Sequence, residues 1–150
     1  MFLSRIVLSA LAFSGALTIG VGVEPVVESA PSTTGSAVKL APIRSENLLG
    51  RWTGTWGRDR AACTLDIQRV DGDKFYGTLT KEGTVVLFEG TLDAGERAVS
   101  FEEIKIVKLG PDMPSWSLGV NTGSFSVDGH VLTGTGQDKH SRYGWDAVKE

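Results

Sequence analysis

Few side chains in this 150-residue chain can do acid–base, nucleophilic or metal chemistry, and their spacing keeps most of them apart. Two carboxylates adjoin at Glu102-Glu103, but consecutive residues of a strand face opposite ways. Shared acid–base work needs both groups at one proton, so this pair converges only where the strand is distorted. His130 adjoins an Asp-Gly turn, and His140 lies in the polar run Gln137–Tyr143; both read as solvated loop residues. Asp138 and His140 could share a metal ion, yet nothing nearby supplies the remaining ligands. Asp71-Gly72-Asp73 has the look of a calcium loop but lacks the further oxygens and the closing glutamate; a hairpin turn explains it better. The single cysteine, Cys63, excludes an internal disulfide. It shares a face with Leu65 and Ile67, which suits a buried core thiol rather than a nucleophile. No Gly-x-Ser-x-Gly, P-loop or dinucleotide fingerprint occurs, so no cofactor is implied.

What the sequence does offer is aromatic. Trp52-Thr-Gly-Thr-Trp56, Phe75-Tyr-Gly-Thr-Leu79 and Phe88-Glu-Gly-Thr-Leu92 share one pattern: a large residue, any residue, glycine, threonine, a large residue. Asn121–Phe125 and Leu132–Gly136 echo it. On a strand both large residues and the glycine face one side, and the threonine faces the other. Glycine inside a strand costs packing and entropy, and is tolerated where a sheet coils sharply or something approaches the backbone. A small closed barrel meets both conditions. The space left by each glycine is then filled by a large side chain from another part of the wall, or left open for a ligand.

The elements that must hold these residues are strands. Alternation with short turns predicts eight or nine of them: 50–57, 62–70, 74–81, 84–92, 97–108, 115–120, 122–128, 130–137 and 142–149. The apolar phase slips by one between Phe101 and Ile104, which predicts a β-bulge at Glu102-Glu103 that keeps the carboxylates out of the core. Trp116, Leu118 and Val120 alternate as a strand would. No helical apolar stripe is present. The expected fold is all-β: a single small antiparallel up-and-down barrel, with a two-sheet sandwich as the alternative. Outward Thr53, Thr55, Asp66, Gln68, Thr78, Thr80, Glu89 and Thr91 disfavour a membrane-spanning barrel.

Ahead of the barrel the chain divides in two. Residues 1–23 have one early charge, Arg5, and then a charge-free run from Ile6 to Val23. This is the layout of an export signal; the run is also long enough to serve as an uncleaved anchor, its one route to a membrane. Residues 24–47 are rich in Pro, Ser, Thr, Val and Ala and read as a flexible linker. Residues 48–150 form the predicted barrel domain. The location implied is secreted or periplasmic, in a bacterium, or membrane-anchored if the signal is retained. From Leu48 onward twelve Lys and Arg stand against fifteen Asp and Glu, with no basic cluster. That balance argues against nucleic acid as a partner.

The opening Gly50-Arg51-Trp52 resembles the calycin superfamily, whose lipocalins and avidins begin a barrel with a Gly-x-Trp step. Leu132-Thr133-Gly134 parallels a leucine-threonine-glycine step of the avidins. The resemblance implies a small closed barrel with Trp52 sealing one end. No counterpart of the avidin biotin contacts can be placed, and the loop Gly110–Trp116 has none in the family. The first function expected is a binding module for a small hydrophobic ligand, lined by Trp52, Trp56, Phe75, Phe88, Trp116, Tyr143 and Trp145. The second is an extracytoplasmic interaction or inhibitor domain with a solid barrel. Its loops, Lys108–Trp116 and Gln137–Trp145, would engage a protein partner. An enzyme using Glu102, Glu103, Asp138 or His140 is a third reading, and no motif supports it.

Overall fold

The computed structural model describes residues 39–150; the predicted export signal and most of the linker lie outside them. A short 3-10 helix, Ser45–Leu48, leads into eight strands: β1 Gly50–Trp56, β2 Ala61–Asp71, β3 Lys74–Lys81, β4 Thr84–Asp93, β5 Ala98–Lys108, β6 Val120–Phe125, β7 Val131–Gln137 and β8 Arg142–Lys149. Every neighbouring pair is antiparallel, and β1 pairs with β8 to close the barrel. The architecture is therefore the closed up-and-down barrel that the alternation implies.

The expected strand at 115–120 does not form; the chain from 109 to 119 is a loop. Pro111 and Pro114 remove two backbone donors at its start. The β5–β6 ladder ends at Glu102 opposite Val120, and beyond it, among the described residues, a single backbone bond, Glu103 N–H to Gly119 O, ties the stretch to β5, so residues 115–119 join no continuous ladder. The alternation there is not a core pattern, because Leu118 is 41% and Val120 59% exposed.

The glycine steps turn out to be seats for rings. A Cβ at Gly77 would strike the Phe88 ring, and one at Gly90 would strike Phe75 and Phe101. Gly123 and Gly134 both lie against the indole of Trp145. At Gly54, between Trp52 and Trp56, the space is taken by the backbone of Asp146 and Ala147 on β8. The gap left by each small residue is thus occupied by the opposite or adjacent wall. Ring contacts then run through the middle of the barrel. Trp56 stacks on Trp145 at 5.4 Å between centroids, Phe101 meets Trp145 at 5.5 Å and Phe88 at 5.1 Å, and Phe75 meets Phe88 at 6.1 Å. Such pairs add to the area term that drives burial.

The β1 entrance end is sealed. Leu48 is fully buried beneath the barrel, and Trp52 Nε1 donates to its carbonyl at 2.8 Å. Ile43 is buried beside it, and its N–H donates to Ala94 O at 3.1 Å, so the packed unit includes the last residues of the stretch read as linker. Arg97, at φ 56°, donates through Nη1 to Ala41 O and through Nη2 to Ser126 O and Val127 O.

β5 slips against β4 at two places, Ile104 and Val107, and the first lies one residue beyond the expected bulge. Phe88 pairs with Glu103 and Leu87 with Lys105, so Ile104 is the extra residue. Val99, Phe101 and Glu103 therefore continue one inward face. Glu103 is 5% exposed and Ile104 43% exposed, the reverse of the expectation that the carboxylates stay out of the core. The reason is local: Glu103 finds hydrogen-bond partners inside the barrel mouth, and a partnered carboxylate can be buried where a bare one cannot.

Candidate functional site

The other end of the barrel is formed by the turns after β1 and β3, the long loop 109–119 and the loop 138–141. Between them lies a cleft of about 450 Å³. Trp56, the last residue of β1, is its floor; its ring also joins the core through Trp145. Tyr143 from β8 stands 5.8 Å from Trp56 between ring centroids. Trp116 and Met113 close the third side from the 109–119 loop, and His140 and Asp138 lie at the rim.

Two buried charged groups are built into this mixed aromatic and polar mouth. Lys81 ends β3 in the same inward phase as Phe75 and Leu79, and is only 8% exposed. Its Nζ lies 2.8 and 2.9 Å from the two carboxylate oxygens of Asp59. The hydrogen bond from Lys81 holds the Asp59 carboxyl below its ordinary range.

The second group is Glu103. Trp116 Nε1 donates to its Oε2 at 2.6 Å, and Asn121 Nδ2 to its Oε1 at 3.3 Å. Tyr143 Oη lies 3.3 Å from Oε1 and 3.2 Å from Asn121 Oδ1, so its one proton is shared between two acceptors. Burial pushes the Glu103 carboxyl above its ordinary range, and the donors from Trp116 and Asn121 only partly offset it. Burial, then the Glu103 charge, likewise raises the Tyr143 phenol. Glu103 also borders a second cleft of about 370 Å³ with Leu118, Gly119, Asp138 and Lys139. The cluster thus joins β5, β6, β8 and the long loop through one carboxylate.

The residues expected to line a ligand site divide into two groups. Trp52, Phe75, Phe88 and Trp145 are buried among other core rings. Trp116 and Tyr143 are partly buried at the mouth, and Trp56 belongs to both places. Glu103, Asn121, Lys81 and Asp59 were not anticipated as binding-site residues. The strand phase carried the signal for two of them, since Glu103 follows Val99 and Phe101 by steps of two and Lys81 follows Leu79. His130 is exposed at the sealed end, and His140 is exposed with its backbone N–H on Asp138 Oδ1. Among the described residues no three His, Cys, Asp or Glu side chains converge on a metal-sized space.

Fold and site together define a small closed barrel of eight antiparallel strands, filled by rings through its middle. No family model matches the chain, and no curated protein matches it. Among solved structures, the apo form of lipid binding protein 8 of Caenorhabditis elegans is similar, with a TM-score of 0.45 and 12% identity. The match covers 72% of this chain and 99% of that one.

Proposed function

We propose that this protein is an exported binding module that takes a small, largely apolar ligand in the mouth of its barrel. The observation that carries the reading is the open cleft of about 450 Å³ whose lining includes the rings of Trp56, Trp116 and Tyr143. Its size falls in the range of small-molecule sites, and its aromatic walls stand among polar and charged side chains that could orient a ligand. Aromatic rings offer a flat ligand large contact area at little entropy cost. The filled middle and the sealed lower end favour the mouth over the barrel axis as the seat. Export rests on the charge-free run after Arg5, and a secreted or periplasmic location follows from it.

The test is a fluorescence titration of the protein and its Trp116→Phe variant with apolar probes: an anilinonaphthalene sulfonate, a long-chain fatty acid and a retinoid. Binding with quenching or a spectral shift that Trp116→Phe diminishes is the expected result. No response to any probe would sink the reading.

A second reading has its own observation. Ile104, Val107, Leu109, Leu118 and Val120 are 41–59% exposed along the second half of β5 and the loop that follows. Exposed apolar side chains gathered in one region favour contact with a partner, here an extracytoplasmic protein engaged by that loop. Retention of ligand binding after Val107→Ser would separate the two surfaces.

A further inference from the structure

The 109–119 loop is joined to the barrel at its two ends. Gly110 N–H donates to Thr84 Oγ1 at 2.9 Å, and Gly119 O accepts from Glu103 N–H at 2.9 Å. Among the described hydrogen bonds, those two ends leave a single tie from the intervening residues to a strand: Trp116 Nε1 to Glu103 Oε2, at 2.6 Å. The indole that makes this tie is also one wall of the cleft. A change at one carboxylate therefore acts on the position of one wall.

We propose that Glu103 is a positioning residue that latches Trp116 against the barrel mouth, and that proton uptake by Glu103 releases the loop. A hydrogen bond to an ionised acceptor is roughly twice as strong as one to a neutral acceptor. Ionised, Glu103 holds the indole N–H firmly. Once protonated, it is a poorer acceptor, and its new O–H can donate to Asn121 Oδ1 instead. The proton comes from solvent through the cleft that Glu103 borders. Groups from several elements surround Glu103. From β8 comes the Tyr143 phenol, from the 138–141 loop Asp138 and Lys139, from β6 the neutral Asn121, and from β4 the apolar Phe88. Glu102, next along β5, points to the outer face. The Trp116 hydrogen bond favours the carboxylate and burial opposes it, so proton uptake by Glu103 removes the ionised acceptor on which that bond depends. Weaker binding of an apolar ligand at low pH would follow, a consequence that rests on the proposed function; the latch itself does not.

The molecule carries its own reporter. Trp52, Trp56 and Trp145 are at most 2% exposed, whereas Trp116 is partly buried at the surface. Collisional quenching by acrylamide, a neutral quencher, therefore reads Trp116. The full chain is titrated from about pH 8 to about pH 4, with far-UV circular dichroism followed alongside. The quenchable fraction is expected to rise in one step as pH falls, with a change of about five- to tenfold in the open population. Glu103→Gln, which keeps an acceptor but never ionises, is expected to show the open level at every pH. Asp138→Asn keeps the step, and Trp116→Phe abolishes it. A closed level in Glu103→Gln at neutral pH overturns the latch, and so does a step that disappears with Asp138→Asn. No ligand is needed, so failure here is distinct from failure of the ligand reading.

Discussion

The claim that the strand glycines are seats for rings can be tested at Gly123. An ideal Cβ there would lie 2.5 Å from Cη2 and 2.7 Å from Cζ2 of Trp145, and 3.0 Å from Thr133 O. Carbon atoms in good contact sit near 3.5–4.0 Å, so the indole must retreat by about 1 Å. It has nowhere to go, because its ring is held by Trp56 on one side and Phe101 on another. Overpacking of this kind costs about 1–3 kcal/mol, and Gly123→Ala belongs near the top of that range. If the glycine instead bordered free space, alanine would gain about 0.5–1 kcal/mol through backbone entropy. The two readings therefore predict opposite signs. Trp145→Phe removes the two atoms in conflict. It also removes Nε1, a buried donor with no partner among the described residues, so its own cost is held to about 2 kcal/mol. In that background Gly123→Ala should cost little or become favourable, giving a coupling of about 2 kcal/mol between neighbours. Urea unfolding of the four species by far-UV circular dichroism, at constant m, measures the cycle. Additive effects, or a stabilised Gly123→Ala single variant, would refute the packing argument.

Two further outcomes follow from buried groups. Cys63 lies on the inner face of β2, and burial pushes its thiol up to about 11; it should resist a thiol reagent at neutral pH and react at once in denaturant, as a labelling time course will show. Glu103→Gln should raise the urea midpoint at neutral pH and lose that advantage in acid. The sign follows from a folded carboxyl titrating above its unfolded value: its stability contribution is complete below the unfolded value and is lost as pH rises through the folded one. A lower midpoint at neutral pH would refute it.

The barrel was legible because its evidence repeats. Each Gly-Thr step states the strand phase again, so errors at one step do not spread. The stretch 115–120 misled because alternation alone cannot distinguish a strand from a loop with every other residue apolar. What separates them is a ladder, and the register of β5 on β6 ends at Glu102 opposite Val120 without taking up 115–119. Glu103 misled for a related reason. A charge in an apolar phase looks like an interruption, so the sequence pattern points to a slip before Ile104, whereas the slip lies at Ile104 itself. The donors that make its burial tolerable come from Trp116, Asn121 and Tyr143, 13 to 40 residues away in sequence, and local periodicity carries no trace of them.

Glu103 and Lys81 share a position in the fold that explains why a charge is tolerated at each. Both continue an inward phase beyond the last full layer of rings: Glu103 after Phe101, and Lys81 after Leu79. Deeper in the barrel each would be an unpaired charge among aromatic rings, at severe cost. At the mouth the loops supply partners, Asp59 for the lysine and Trp116 for the glutamate. The partners differ in kind. Asp59 neutralises Lys81 from an exposed turn, whereas Trp116 leaves Glu103 charged and is itself immobilised by it. One pair fixes the rim of the cleft; the other makes a wall of the cleft depend on the protonation of a single side chain.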